Sequence, residues 1–373
     1  MKWGVKCHGF GNSFDYICRI LTHAAKKMKG VVNAILFALI FLPKIILSQD
    51  TIPSIRLKFD TRFDFNAKIP MQDTASTLSS FDGKFLNIIL EGEINKKFSY
   101  NYRQRLIIDS KPNYQSFFNA IDWLYLSYKI NNNFSVSGGK QVVAIGGYEY
   151  DAAPIDVYFW SEFWNNVTCY QIGTTVNYKT TNEKHNIGFQ FANSPFTTQT
   201  LQGIYAYNLI WNGDFKGFKT IYSLNRIEYE QGHYINYISL GNKFTVKNFS
   251  AEVDFMDRFS ELQDHWLSDY SVIGHLKYAL KSKVALFVKA GYDVNNAQNT
   301  TDFLVYDRYV KPGTEYFFYG AGIEYFPIKN SKDLRMHAVW ASNNDQLQYH
   351  TLNVGVRWQM KILEKQLKNN TSL

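Results

Sequence analysis

Basic side chains recur at alternate positions along several segments of this sequence, with apolar side chains between them. Arg56 and Arg62 follow this arrangement in one segment, and Arg103 and Arg105 follow it in another. A guanidinium group can donate two parallel hydrogen bonds to an oxyanion such as phosphate, so rows of arginine suit anion binding. The candidate anion-binding residues, with one lysine at the base of a long loop, are Arg56, Arg62, Arg103, Arg105, Lys140, Lys289, Arg335 and Arg357.

Acidic side chains occupy the same alternate positions, which gives these basic residues a second interpretation. The acidic residues on this face are Asp60, Asp64, Glu91, Glu93, Asp109, Glu252, Asp254, Asp293 and Glu324. Because acids and bases nearly balance, transverse ion pairs could hold the structure rigid instead of binding a solute. Both interpretations stay open from the sequence.

Strands must position these side chains, because the apolar residues recur with a period of two. Ile55–Asn66 alternates apolar and polar residues throughout, and Leu86–Ile94 and Tyr100–Asp109 repeat the pattern. Short polar turns alternate along the chain with longer connections. The short turns are Asn95–Lys97, Asn131–Asn133, Thr180–Lys184, Gly213–Gly217, Thr245–Asn248, Lys281–Lys283 and Lys329–Asp333. Each turn joins two strands, and one strand at each terminus brings the predicted number to about sixteen.

The alternation of short turns and long loops predicts an all-β fold, a transmembrane antiparallel β-barrel in the outer membrane of a Gram-negative bacterium. In lipid every backbone donor and acceptor must be paired, so the sheet has to close on itself. Aromatic residues make up 17% of the chain. Those near predicted strand ends suit the membrane interface: Tyr100, Tyr102, Trp123, Tyr125, Tyr205, Tyr207, Trp211, Tyr319, Tyr325, Trp340 and Trp358.

The first 48 residues have the layout of a secretory signal. Three lysines precede the apolar run Val31–Leu42, and Ser48 suits a cleavage site. We expect translation to start at Met28, so that residues 1–27 are an upstream extension. This leader carries six Lys and one Arg against one Asp, which is most of the formal charge of +8. The mature chain therefore gives little support to nucleic-acid binding. We expect a barrel over residues 49–363 and a polar periplasmic tail over residues 364–373.

The segment Gly138–Asn166 is the longest stretch without strand alternation, and it is rich in glycine and aromatic residues. It resembles the phosphate-selective porin O and P family, as do Tyr100–Leu106 and Leu352–Met360. The resemblance implies a sixteen-stranded porin, commonly a homotrimer, whose third loop folds into the lumen. The predicted constriction residues are Gly146, Gly147, Tyr148, Glu149, Tyr150 and Asp151. The family's arginine ladders and loop lysine cluster imply phosphate binding, but Lys140 is the one lysine between Asn131 and Asn177.

We therefore predict a general diffusion porin for small hydrophilic solutes and ions, with a preference for anions or phosphate as a further expectation. One alternative is a surface adhesin or glycan-binding barrel with a plugged lumen. Another is an outer-membrane phospholipase, but none of the mature histidines stands in a recognisable serine-containing motif. The predicted partners are outer-membrane lipid and small solutes. We expect no cofactor and no metal, since Cys169 is the single cysteine after the leader.

Overall fold

The computed structural model describes residues 53–71, 76–106, 120–197, 202–260, 266–280, 283–296, 309–344 and 349–366. The predicted leader, Asp109 and the last seven residues lie outside this part of the chain. None of the described helices is long and apolar enough to cross a membrane.

Sixteen antiparallel strands form a single closed sheet, in which each strand pairs with its neighbours in sequence and β1 pairs with β16. The predicted closed barrel is confirmed. The strands are β1 Ser54–Pro70, β2 Leu78–Glu93, β3 Phe98–Arg105, β4 Ile121–Lys129, β5 Phe134–Val142, β6 Tyr170–Lys179, β7 His185–Asn193, β8 Tyr205–Asp214, β9 Phe218–Glu230, β10 His233–Val246, β11 Phe249–Ser260, β12 Asp269–Leu280, β13 Val284–Asn295, β14 Glu315–Tyr325, β15 Leu334–Asn343 and β16 Tyr349–Gln366.

The strands carry apolar side chains on the outside of the barrel and mostly polar or small ones on the inside. On β7, Ile187, Phe189 and Phe191 are exposed, whereas the alternate residues Gly188 and Gln190 are buried. The same alternation recurs on β14 and β16. This is the reverse of a soluble β-sandwich, whose apolar faces pack inward. The outer surface is therefore suited to lipid.

The last strand continues beyond its predicted end at residue 363. Glu364 pairs with Arg56, and Gln366 pairs with Ser54 at the first residue of β1. The barrel continues to Gln366 because β1 offers backbone partners along this whole length, and Ile362 is accommodated by a bulge in the ladder. The polar residues 364–366 lack the apolar alternation from which the other strand residues were predicted.

The connection between β5 and β6, residues 143–169, is called the central segment below. It contains helix α1 (Tyr148–Asp151), a 3₁₀ turn (Pro154–Asp156) and helix α2 (Glu162–Asn166). The sequence placed the start of this segment at Gly138, but Gly138–Val142 belongs to β5. Gly139 keeps its pairing with Tyr125 and Gly173 although its φ is +132°. Only glycine adopts such a conformation readily, so composition alone suggested a loop.

Candidate pore

The central segment begins with a close approach of its backbone to β9 and β10. The amide of Gly146 donates to Ser223 Oγ at 2.8 Å, and the amide of Gly147 donates to the Ile221 carbonyl at 3.1 Å. A Cβ at position 146 would lie 2.7 Å from the Ile221 oxygen. Gly147 has φ +103°. These two glycines allow the segment to run against the wall where a side chain would hold it away.

Two carboxylates on the wall accept hydrogen bonds from the backbone of the central segment. Asp254 on β11 accepts from the amides of Tyr148 at 2.8 Å and Glu149 at 2.7 Å. Asp293 on β13 accepts from the amide of Glu162 at 2.7 Å, at the start of α2. Both carboxylates are buried, so these charge-assisted hydrogen bonds replace the water that they lose. They hold the first and last parts of the segment to the same side of the barrel.

The side chain of Glu149 joins the segment to itself and to β13. It accepts from the Ser161 amide at 3.2 Å and from the Ser161 hydroxyl at 2.5 Å. Lys289 lies 2.6 Å from the Glu149 carboxylate and also donates to the Phe159 carbonyl at 2.8 Å. The predicted anion-binding lysine on β13 is therefore paired with a predicted constriction residue.

The predicted arginine on β1 holds the 3₁₀ turn. Arg62 is fully buried and ion-paired with Asp64 at 2.7 Å, and it donates to the carbonyls of Ile155 and Val157 at 2.8 and 3.0 Å. These two carbonyls flank Asp156. Arg62 thereby anchors the segment from β1, whereas Asp254 anchors it from β11.

Two further predicted arginines reach the same turn from β15 and β16. Arg335 lies 2.8 Å from Asp156 and 3.3 Å from Glu324. Arg357 lies 2.9 Å from Asp60 and 3.7 Å from Asp156. The structure therefore brings Arg335 and Arg357 together around one carboxylate of the segment, where their guanidinium groups are paired with protein groups.

The predicted basic residues on the other side are paired with wall carboxylates. Arg103 and Arg105 lie 2.8 and 3.0 Å from Asp122, and the guanidinium of Arg103 also lies 3.9 Å from the centre of the Trp123 ring. On β1, Arg56 lies 3.6 Å from Glu91. In each case the ion-pair interpretation describes the contacts that the structure shows.

Lys140 does not share the inner face with the seven other candidates. In the register it stands opposite Leu124 and Ile172, whose side chains are exposed on the outside of the barrel. Its sequence neighbour Gln141 is buried and faces inward. The prediction that Lys140 lines the lumen is therefore wrong, because Lys140 lies in β5 and not at the base of a loop, and the pairing of β5 turns it outward.

Two aromatic residues assigned to the membrane interface also face the other way. Trp123 and Tyr125 on β4 line an internal cavity, whereas Leu124 and Leu126 are exposed on the outer face. A bulge between β3 and β4 shifts the register between Arg103 and Gln104. The sequence signal for their inward direction is the alternation with Leu124 and Leu126, which face the outside of the barrel.

Two large cavities border the central segment in the described part of the chain. The charged cavity, about 440 Å³, lies between the segment and strands β10–β16. The neutral cavity, about 570 Å³, lies between the segment and strands β3–β8. Asp151 and Ala152 line both cavities. Apolar residues of the segment, among them Val143, Ile145 and Phe163, pack with buried residues of β8–β11.

The charged cavity contains basic and acidic side chains in equal number, apart from His275. Its charged lining residues are Glu149, Asp151, Asp156, Lys243, Glu252, Asp254, Lys277, Lys289, Glu324, Lys332, Arg335 and Arg357. In two ion pairs of this cavity the basic side chain is more exposed than the acidic one. The Lys277 and Lys243 side chains are 37% and 32% exposed, whereas those of their carboxylate partners Glu324 and Glu252 are 3% and 19% exposed. The acidic side chains of Asp151 and Asp156, on the central segment, are also accessible.

Burial of the central segment changes the ionisation of two of its side chains. It raises the pKa of the Tyr158 hydroxyl well above its usual range, so Tyr158 donates to Glu324 as a neutral group at 3.0 Å. Burial also raises the pKa of the Cys169 thiol to about 11. Cys169 consequently stays a thiol at neutral pH. Among the described residues, no three His, Cys, Asp or Glu side chains come together as a metal site requires.

Comparisons with known proteins agree with this barrel. Residues 55–211 match the family model of the phosphate-selective porins O and P. The resemblance to this family is confirmed over those residues. No curated protein sequence matches the chain significantly.

Solved barrels share the fold at low sequence identity. The outer-membrane channel DcaP of Acinetobacter baumannii is 11% identical with a TM-score of 0.59, and the match covers 83% of this chain and 97% of that one. The anion-selective porin from Comamonas acidovorans is 12% identical with a TM-score of 0.58, over 83% and 100% of the two chains. OmpT of Vibrio cholerae in a trimer form is 12% identical with a TM-score of 0.56, over 83% and 100%. The chain therefore shares the barrel fold of these outer-membrane proteins, and residues 55–211 are similar to the phosphate-selective porins O and P.

Proposed function

We propose that this barrel is an outer-membrane porin, which passes small hydrophilic solutes and ions by passive diffusion, favours anions and has no catalytic role. The observation that carries the anion preference is the difference in exposure within two ion pairs of the charged cavity, Lys243 with Glu252 and Lys277 with Glu324. The side chains of Lys243 and Lys277 are about one third exposed, whereas that of Glu324 is almost completely covered. A permeating ion that passes these two pairs meets their positive groups first, while the exposed Asp151 lies on the central segment.

The central segment is proposed to set the width of the pore. Its contacts with Arg62 on β1, Asp254 on β11 and Asp293 on β13 support this role, because these inward-facing residues are distributed around the barrel. Gly146–Asp151 would form the constriction in contact with β9, β10 and β11. The seven paired basic residues would then act chiefly by holding this constriction in place.

Export and assembly complete the proposal. The signal peptide within residues 1–48 would direct the chain to the periplasm, and the exposed apolar side chains of the strands would place the barrel in lipid. A homotrimer is supported by the trimer form of the similarly folded OmpT of Vibrio cholerae. The absence of a Ser-His motif in the sequence argues against phospholipase activity.

Planar-bilayer conductance tests the proposed function. We expect channels whose reversal potential in a KCl gradient shows a preference for chloride. Replacing both exposed lysines, Lys243→Met and Lys277→Met, should lower the ratio of anion to cation permeability about fivefold, because two charges that act through partly screened water are removed.

The control is Lys219→Met, which removes an exposed lysine that pairs with Asp214 outside both cavities. It should change the ratio less than about twofold, because screening weakens a more distant charge. A wild-type channel without anion preference would contradict the selectivity. Absence of any conductance would favour the adhesin with a plugged lumen.

A further inference from the structure

The neutral cavity has the size of a small-molecule site. Its volume of about 570 Å³ lies within the usual range for ligand pockets. The central segment covers one side of it, and six strands of the barrel form the other. Among its described lining residues, Arg103 and Asp151 are the charged ones. A solute here meets a surface unlike that of the charged cavity.

Amide side chains line this cavity without forming side-chain hydrogen bonds to described residues. Asn101, Asn177, Asn186 and Asn212 share this property, and each is half-buried. Asn186 and Asn212 stand directly opposite each other on β7 and β8. Each amide offers two N–H donors and a carbonyl acceptor. The four residues therefore present donors and acceptors that remain available to a solute.

The amides of Gln141 and Gln190 differ, because they are used to hold the protein together. Gln190 accepts from the Ala144 amide at 2.8 Å and donates to the Val142 carbonyl at 2.9 Å. Gln141 donates to the Gly173 carbonyl at 3.0 Å. The wall is thus stabilised by one set of amides while the asparagines stay available. This distinction separates structural amides from binding amides on the same strands.

An aromatic ring lies beside these asparagines with no ring or cation partner among the described residues. Tyr125 is half-buried and stands opposite Asn101 in the β3–β4 register. The neighbouring inward ring, Trp123, is instead covered by Arg103, whose charge is paired with Asp122. Tyr125 therefore offers an apolar face within a surface that carries little net charge.

We infer that the neutral cavity is a binding subsite for neutral polyhydroxylated solutes, such as sugars, during their passage. A pyranose ring has apolar C–H faces that can stack on Tyr125, and its hydroxyl groups can both donate to and accept from the four asparagines. Ions gain little here because the described lining carries one charge of each sign, the paired Arg103 and Asp151 at the border with the charged cavity. This inference rests on the proposed porin function and adds a solute class to it.

Sucrose block of single-channel current tests the subsite. With wild-type protein, sucrose should reduce the KCl current with a saturable concentration dependence, because a bound solute obstructs the path. Tyr125→Ala should raise the half-saturating sucrose concentration about tenfold, since it removes the apolar surface on which the sugar stacks. Tyr125→Phe keeps that surface and should retain saturable block.

A second pair of variants, Asn177→Ala and Asn212→Ala, tests the amides independently of the ring. Each should raise the half-saturating concentration about fivefold, the value of one lost hydrogen bond of ordinary strength. The matched control is Tyr128→Ala, which removes a tyrosine of the same strand that packs against Phe98 and lies outside both cavities. Its sucrose block should equal that of the wild type.

The outcomes separate the subsite from the porin itself. A current that falls only in proportion to solution viscosity, without saturation, would overturn the subsite while leaving the pore established. Saturable block that is unchanged by Tyr125→Ala and by both asparagine variants would also overturn it. A protein without any conductance would overturn the proposed function and the subsite together.

Discussion

Two sides of the barrel wall hold the same central segment by different chemistry. In the charged cavity, carboxylates and basic groups meet the segment directly, as Lys289 does at Glu149 and Arg335 does at Asp156. In the neutral cavity, amides do this work, as Gln190 does at Ala144. A buried charge needs a partner, whereas an amide needs only a hydrogen bond. The charges that hold the central segment are therefore different from the charges that remain accessible to ions.

The buried pair in β1 provides the strongest test of this difference. Arg62→Ala should lower the free energy of unfolding by about 3–5 kcal/mol, because it leaves Asp64 buried and two carbonyls of the segment without their donor. Urea titration of the folded barrel measures this change. The half-exposed Arg56 on the same strand is the control, and Arg56→Ala should cost less than about 1 kcal/mol. Equal losses for the two variants would show that burial does not set the contribution of these pairs.

Disturbing the contact between the central segment and β9 should reduce stability less than the loss of Arg62 does. Gly146→Ala should destabilise the barrel by about 1–3 kcal/mol, because its Cβ would lie 2.7 Å from the Ile221 oxygen. The segment would have to move, and the single-channel conductance should change with it. Gly274→Ala is the control, since no atom lies within 4 Å of its added Cβ. A native conductance in Gly146→Ala would argue against a constriction at this point.

Thiol chemistry tests the neutral side with the least disturbance. Burial raises the pKa of Cys169 to about 11, and the thiolate is the reactive form. Labelling by a small neutral maleimide should therefore be slow at pH 7. Its rate should increase about tenfold for each unit by which the pH is raised, until the pH reaches that pKa.

The comparison variant places a thiol in the other cavity. Ser250→Cys, made together with Cys169→Ser, lies in the lining of the charged cavity and should react faster at pH 7, provided its thiol keeps the ordinary pKa of about 8.5. Mass spectrometry measures both rates. Rapid labelling of Cys169 at neutral pH would contradict the raised pKa of its thiol.

The sequence predicted the direction of side chains at regular strand positions, but it did not predict the direction of side chains near bulges and glycines. Arg62 and Arg335 face inward as their alternation predicts, and the seven short turns lie between the strands that they were expected to join. Lys140 was misplaced because two glycines made a strand resemble a loop. Trp123 and Tyr125 were assigned to the membrane interface because an aromatic ring near a strand end suits either face.

The sequence by itself determined the strand number and the two faces of the wall, because a period of two and the spacing of short turns are local properties of the chain. Only the tertiary structure decided which inward groups meet. Arg62 reaches carbonyls more than ninety residues away, and Asp254 reaches amides of the same segment from the β11 side. Such contacts depend on the closure of the barrel and on the path of one inserted segment. No local pattern records either of them.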